Sequence, residues 1–261
     1  EAPCNHVFDY GIGQEDATGA ALAGSAHVVR LGVVHNRVIV NAMEPRGAWA
    51  EWADGRLHLC VNGQGVWHQK KELARMLGLP RDAVRVTNPD VGGGFGMKSM
   101  TYPEYVVIAA AARALARPVR WIADRSEAML TDNAGRDLIA RAEIGFDADL
   151  NITAYGVNLV SNLGAYNSQY GQAIQSELFA KVLTGVYDIP VAHLGALGVF
   201  TNTTPVDAYR GAGRPESAYI MERLIEAAAR EIGIGVDEMR SRNLLLPAEL
   251  PHENGLGLTF D

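Results

Sequence analysis

Two glycine-rich stretches are the residues best placed to do chemistry. The first, Asn88-Pro89-Asp90-Val91-Gly92-Gly93-Gly94-Phe95-Gly96-Met97-Lys98, sets four glycines in five positions. The second, Ala208-Tyr209-Arg210-Gly211-Ala212-Gly213-Arg214-Pro215-Glu216, sets a cationic fork among small residues. Glycine adopts backbone angles closed to other residues, and its missing Cβ lets a flat ligand touch the main chain. Bare amides beside a helix start attract an anion or an acceptor-rich ring system. Met97 breaks the Gly-Lys pair that a phosphate loop needs, and no register gives GxGxxG, which weakens a nucleotide reading. Tight turns that serve packing alone are the other reading of either loop taken singly.

Other chemistries find little support. The seven histidines are scattered, with no HxH or HExxH pair, so the chain offers no direct metal ligands of its own. There is no GxSxG elbow for acyl transfer. Cys4 and Cys60 belong to no CxxC pair, so a disulfide framework is not expected and a reducing cytoplasm is the default. With 23 Lys and Arg against 30 Asp and Glu, the net charge of −7 and the absence of a basic run argue against a nucleic-acid partner. The apolar run Val106 to Ala112 is far too short to span a membrane, and no charged-then-apolar leader can be read.

The elements that position the loops read as an α+β fold of two successive two-layer units, each a mixed β-sheet with helices on one face. Residues 1–36 are a lead-in containing a strand at Val28–Val34. The first unit, 37–135, opens with strands at Val38–Val40, Gly47–Trp52 and Leu57–Val61, a three-strand meander whose last two strands are joined by the turn Ala53-Asp54-Gly55-Arg56. A helical period from Trp67 to Leu77 ends at Gly78-Leu79-Pro80. Strand Arg85–Thr87, the first glycine loop, an Ala-rich helix from Glu104 to Leu115 and strand Pro118–Ile122 complete a βββαβαβ order. The second unit, 136–261, begins with strands Leu138–Phe146 and Ile152–Ser161 around the turn Asp147-Ala148-Asp149-Leu150-Asn151. Residues 164–190 are polar and aromatic with weak periodicity and suit a long functional loop or a mobile segment. Strand Ala192–Phe200 follows, and the second glycine loop opens an amphipathic helix reaching about Ile232.

Taken together in this order, Gly92-Gly93-Gly94-Phe95-Gly96-Met97-Lys98, Pro118-Val119-Arg120-Trp121, Asp124-Arg125-Ser126-Glu127, Tyr187-Asp188-Ile189-Pro190 and Ala208-Tyr209-Arg210-Gly211-Ala212-Gly213-Arg214 resemble the large subunit of the xanthine oxidase family of molybdenum hydroxylases. The bacterial branch with carbon monoxide dehydrogenase and the aldehyde- and azaarene-oxidising enzymes is most similar. The resemblance implies the fold of molybdopterin-binding domains. It also implies roles. Gln64 matches the glutamine whose amide hydrogen-bonds an oxo ligand of the metal; otherwise it is an exposed polar residue at a strand end. Gly93, Gly94, Phe95 and Gly96 match the loop approaching metal and pterin, and Tyr209, Arg210 and Gly211 the loop on the opposite side. Gln64, Phe95 and Arg210 are the catalytic candidates. The metal in such enzymes is held by the cofactor's own sulfurs, which accounts for the missing ligand cluster.

Departures narrow the expectation. Gly211 stands where carbon monoxide enzymes carry a cysteine, and Ser99 and Ala212 stand where purine enzymes carry a glutamate and a phenylalanine. An aldehyde or N-heteroaromatic substrate remains, with a carbon monoxide dehydrogenase-like chain of another type, or a stand-alone anion- or nucleotide-binding module, as the alternatives. The family's general-base glutamate has no counterpart here: Glu216, Glu222, Glu226, Glu231 and Glu253 read as helix-surface or terminal carboxylates. The chain is therefore expected to be a middle piece of a catalytic subunit. Alone it would be inactive and free of cofactor. In the whole protein the expected cofactor is molybdopterin, as the cytosine dinucleotide. Iron-sulfur clusters and FAD would sit on partner subunits or domains, next to the remainder of the large subunit.

Overall fold

The computed structural model describes residues 2–260. In chain order the elements are β1 (His6–Gly13), α1 (Glu15–Gly24), β2 (His27–Ile39), β3 (Gly47–Ala53), β4 (Arg56–Val61), α2 (Trp67–Leu77), β5 (Val84–Thr87), α3 (Pro103–Leu115), β6 (Val119–Ile122) and α4 (Arg125–Thr131). They continue with β7 (Ala134–Phe146), β8 (Ile152–Asn162), α5 (Gly171–Ile174), α6 (Glu177–Ala180), β9 (Ala192–Val199), α7 (Arg214–Ile232), α8 (Val236–Asn243), β10 (His252–Glu253) and β11 (Thr259–Phe260). The chain divides into two compact units. One runs to Val38 and resumes over Arg136–Val206 and from Gly211 on; the other is Ile39–Gly135 with Asp207–Arg210.

The first unit is built on a five-stranded mixed sheet ordered β1-β9-β8-β7-β2, in which β8 and β9 run parallel. Alternation along β8 buries Tyr155, Val157 and Leu159 against Ile220, Leu224 and Ile225 of α7. Toward its other face the sheet meets α1, whose Thr18 lies against Gly156. Residues 1–36 are thus no lead-in: β1, α1 and β2 are part of this sheet and its cover. Residues 164–190 are no open loop either. They carry α5 and α6, and Ile174, Phe179, Leu183 and Tyr187 are buried in the core. Weak periodicity arose because short helices of four residues never complete a face. Glu216, expected on a helix surface, is buried beside Arg136 (Oε1 to Nη1, 3.3 Å), and that burial pushes its carboxyl above the usual range against the pull of Arg136.

The second unit is a four-stranded sheet ordered β5-β4-β3-β6, with β4 and β5 parallel and the other pairs antiparallel. Leu57, Leu59, Val84 and Ala50 pack on Leu73 of α2 and Tyr105, Ile108 and Ala109 of α3. The β3–β4 hairpin forms as expected. Val38–Val40, however, does not begin a meander: Val38 and Ile39 end β2, which pairs in the other sheet. The order here is ββαβα followed by β6 and α4. Helix α2 ends on Gly78 at φ 64°, with Leu79 N–H donating to the Ala74 carbonyl (2.8 Å). Helix α4, not foreseen, is signalled by Asp124, whose side chain accepts the Glu127 N–H at 2.7 Å. Among the described residues no helix is long and apolar enough to cross a membrane.

Arg46 organises this unit. Its side chain is fully buried, with Nε on Asp132 (2.5 Å), Nη1 and Nη2 forked on Glu104 (3.0 and 3.2 Å) and Nη2 also on Thr131 (3.0 Å). The guanidinium lies 3.6 Å from the Tyr102 ring centroid and 5.2 Å from that of Trp121. Burial works against the charge, and Glu104 and Asp132 more than offset it, so the arginine pKa is held above its ordinary value. Removing the cation strands one fully buried and one partly buried carboxylate. Arg46→Met is expected to destabilise the chain by about 3–5 kcal/mol, read as the shift of the urea midpoint. Arg46→Lys should cost less but still lose the forked bond.

Candidate functional site

The glycine loop joins β5 to a single 3₁₀ turn at Met97–Ser99. Its shape is set by residues with positive φ: Gly93 (96°), Phe95 (54°) and Gly96 (99°). Phe95 is the costly member, because a side chain in the left-handed region strains the backbone by about 1–2 kcal/mol. Glu44 clamps the loop from outside. Its Oε2 accepts the Gly92 N–H (2.9 Å) and the Lys98 ammonium (2.8 Å), while the Glu44 N–H donates to the Gly92 carbonyl (3.1 Å). Partial burial alone would raise the Glu44 carboxyl; Lys98 and the Gly92 N–H outweigh it and hold the group below the usual range. Lys98 is fully buried, so the cation the sequence set beside the loop faces Glu44 and braces the loop.

Gln64 sits just beyond β4 and is exposed. Its main-chain N–H donates to the Lys98 carbonyl (3.0 Å), and its side-chain Oε1 accepts the Gly96 N–H (2.8 Å). With Oε1 so engaged, the amide is oriented and Nε2 remains a donor with no partner among the described residues. Gly94 makes this possible: a Cβ there would run into the Gln64 amide group. The N–H groups of Gly93, Gly94 and Phe95 likewise have no acceptor among the described residues. Orphan main-chain donors, one on the buried Gly94, together with an aimed amide, form a cradle suited to an acceptor-rich ligand.

The second loop meets the first through the main chain. Asp207–Arg210 belong to the same unit, with Asp207 N–H donating to the Ala134 carbonyl (2.8 Å) and Arg210 N–H to the Phe95 carbonyl (2.8 Å). Gly96 and Gly135 give the close approach: a Cβ on Gly96 would strike the Ala208 carbonyl, and one on Gly135 would strike Tyr209. Gln64, Gly93, Gly94, Phe95, Gly96, Tyr209 and Arg210 are therefore gathered in one unit. Gly211 falls in the other unit, at φ 89°, where a Cβ would collide with the Pro215 ring. Phe95 and Arg210 are exposed and Tyr209 is half-buried. Sequence reasoning missed Glu44, for which no local signal exists, since its partners lie about fifty positions on. It also missed Arg46, which a run such as Met43-Glu44-Pro45-Arg46 presents as surface turn. No group of three or more His, Cys, Asp or Glu side chains able to hold a metal ion occurs among the described residues.

Such a cradle on such a fold defines a class. Residues 1–244 match the model of the molybdopterin cofactor-binding domain, and the chain belongs to that family. It corresponds to that part of the large subunits of xanthine oxidase-family molybdenum hydroxylases. It is 36% identical to the 6-hydroxypseudooxynicotine dehydrogenase complex subunit gamma of Paenarthrobacter nicotinovorans, over 92% of this chain and 30% of that one. It is 31% identical to the carbon monoxide dehydrogenase large chain of Hydrogenophaga pseudoflava, over 98% of this chain and 32% of that protein. Quinoline 2-oxidoreductase from Pseudomonas putida 86 superposes with a TM-score of 0.92 at 34% identity, covering 98% of this chain and 33% of that one. The chain spans about a third of the length of the relatives it matches.

Two outcomes check this geometry. Gly94→Ala should barely change stability, because the flexible Gln64 side chain swings aside, yet the Gly96 amide should lose its acceptor, seen as an upfield shift and faster hydrogen exchange. Gly96→Ala meets main chain instead and should destabilise by about 1–3 kcal/mol. The Glu44 clamp sets a pH dependence. With its folded pKa depressed, Glu44 contributes stability that is complete above the ordinary glutamate value near 4.5 and is lost as pH falls through the folded value. Glu44→Gln should flatten that acid limb of a denaturation-versus-pH series.

Proposed function

We propose that this chain frames one face of a molybdenum-pterin cofactor in the catalytic subunit of a hydroxylase that oxidises an N-heteroaromatic or aldehyde with oxygen from water. The observation that carries the reading is the aimed Gln64 amide: its Oε1 is tied to Gly96 N–H and its Nε2 has no partner among the described residues. When bound, the cofactor supplies the two-electron oxidation and the oxygen transfer, through a metal held by its own sulfurs. The chain's residues do the rest. The Gln64 Nε2 donates to an acceptor at the metal, and the free amides of Gly93, Gly94 and Phe95 meet the ring system. The exposed Phe95 ring offers a wall for a flat substrate, and Arg210, whose main chain is tied to Phe95, brings a cation to the same place. Tyr209 and Gly211 flank that cation in sequence.

The cofactor form we favour is the cytosine dinucleotide, and the electrons would leave through iron-sulfur clusters and FAD on partner subunits. Relatives named as a complex subunit and as large chains support partners of that kind. Relatives acting on a hydroxylated nicotine derivative and on quinoline support the N-heteroaromatic class. Gly211, where the resemblance places a cysteine in carbon monoxide enzymes, tells against that substrate. The test is made in the whole protein. Gln64→Ala should leave molybdenum content intact and lower kcat/KM for an N-heteroaromatic about 10–100-fold, the usual loss when a hydrogen-bonding partner of a metal centre goes. Unchanged turnover with full metal would overturn the assignment.

A further inference from the structure

Away from the glycine loops, the sheet of the Ile39–Gly135 unit ends in β5, whose outer edge pairs with no strand among the described residues. A pocket of about 230 Å³ lies along it, lined by Val84, Arg85 and Val86 of β5, Arg56 at the start of β4, and Val66, Trp67 and Lys70 around the start of α2. Trp67 is 79% exposed, the largest exposure of any aromatic side chain here. Lys70 Nζ stands 5.8 Å from the Trp67 ring centroid, and neither Lys70 nor Arg85 has a carboxylate partner among the described residues. Among the described residues Arg56 reaches only the Asp82 main-chain carbonyl (3.1 Å). Three cations, no lining carboxylate and an uncovered indole thus surround an open strand edge, on a chain of net charge −7.

A single charge on a short edge strand is a common guard against unwanted strand pairing. Three cations around a large exposed ring go beyond a guard, because they present an apolar seat together with a field that rewards only a negative occupant. An extended segment laid along a sheet edge is held by main-chain hydrogen bonds, and its alternate side chains supply the selectivity. We propose that β5 and the Trp67 pocket form a docking edge for an extended acidic segment of a second polypeptide. That segment adds as a strand beside β5, seats an apolar side chain on Trp67, and sets its carboxylates against Arg56, Lys70 and Arg85. The inference stands independently of the cofactor reading.

The probe is an end-blocked peptide of alternating glutamate and valine, titrated into the full chain and followed by tryptophan fluorescence and amide hydrogen exchange. Saturable binding is expected, weakening as salt rises. Exchange should slow at β5 amides within Val84–Thr87, and affinity should fall about tenfold or more in Lys70→Glu/Arg85→Glu. The same peptide with lysine in place of glutamate should not bind. Absence of binding, equal binding of the lysine peptide, or binding that protects no β5 amide overturns the proposal. The peptide comparison needs only the unaltered chain, so it decides the matter even where the double variant fails to fold.

Discussion

Everything at the glycine loops hangs on the buried guanidinium of Arg46. It lies over the Tyr102 ring, and the Tyr102 hydroxyl donates to the Met97 carbonyl (3.0 Å) at the end of the first loop. The same hydroxyl oxygen accepts the Asn133 N–H (3.1 Å), one residue beyond the Asp132 that pairs with Arg46. One further residue along, the Ala134 carbonyl receives the Asp207 N–H that brings the second loop home. One cation therefore holds two segments far apart in sequence through rigid, nearly water-free bonds. In such surroundings burial drives the Tyr102 phenol far above its usual pKa, and it serves throughout as a neutral donor and acceptor.

This arrangement suits a site whose chemistry arrives with its ligand. A protein that binds a metal directly must place side-chain donors at bond distance and leaves a cluster of His, Cys or carboxylates in its sequence. On the proposed reading the tools are main-chain amides and one oriented amide side chain, so composition is almost silent and backbone shape is decisive. The strain at Phe95 and the positive φ of Gly93 and Gly96 are the cost of turning three successive N–H groups away from any partner among the described residues. The Glu44–Lys98 pair and the Gly92 contacts supply the bracing that keeps such a loop from collapsing onto itself.

How much of this was legible in sequence follows from range. Features decided by neighbours within a turn or two were readable: the β3–β4 hairpin at Asp54-Gly55, the Gly78 cap, and the opening of α7 after Gly213. Features decided by distant partners were not. Val38 and Ile39 look like the start of a local meander, but their strand is the end of β2 and pairs across the other sheet, a choice that no window of residues contains. Glu216 carries the pattern of a helix N-terminal carboxylate, and only packing against Arg136 and the core makes it buried. Gln64 was reached through resemblance rather than local pattern. Its orientation came from Gly96, 32 positions away, by a bond that sequence spacing cannot show.

The way the second loop is anchored also shows which of its groups hold it. Ala208–Arg210 are held by main-chain bonds, from Asp207 to Ala134 and from Arg210 to Phe95, and by the room left at Gly96 and Gly135. None of these uses the side chain at 211 or 212. Both positions carry a constraint of their own, since Gly211 (φ 89°) has the Pro215 ring where a Cβ would go and Ala212 also has positive φ (40°); with Ser99 of the first loop they are the positions at which this sequence departs from the purine and carbon monoxide patterns. By contrast, a change at Gly94 or Gly96 acts on the Gln64 amide itself. The bonds that join the two loops are main-chain bonds, so on the proposed reading a side-chain change in either loop that respects the local backbone leaves that junction in place.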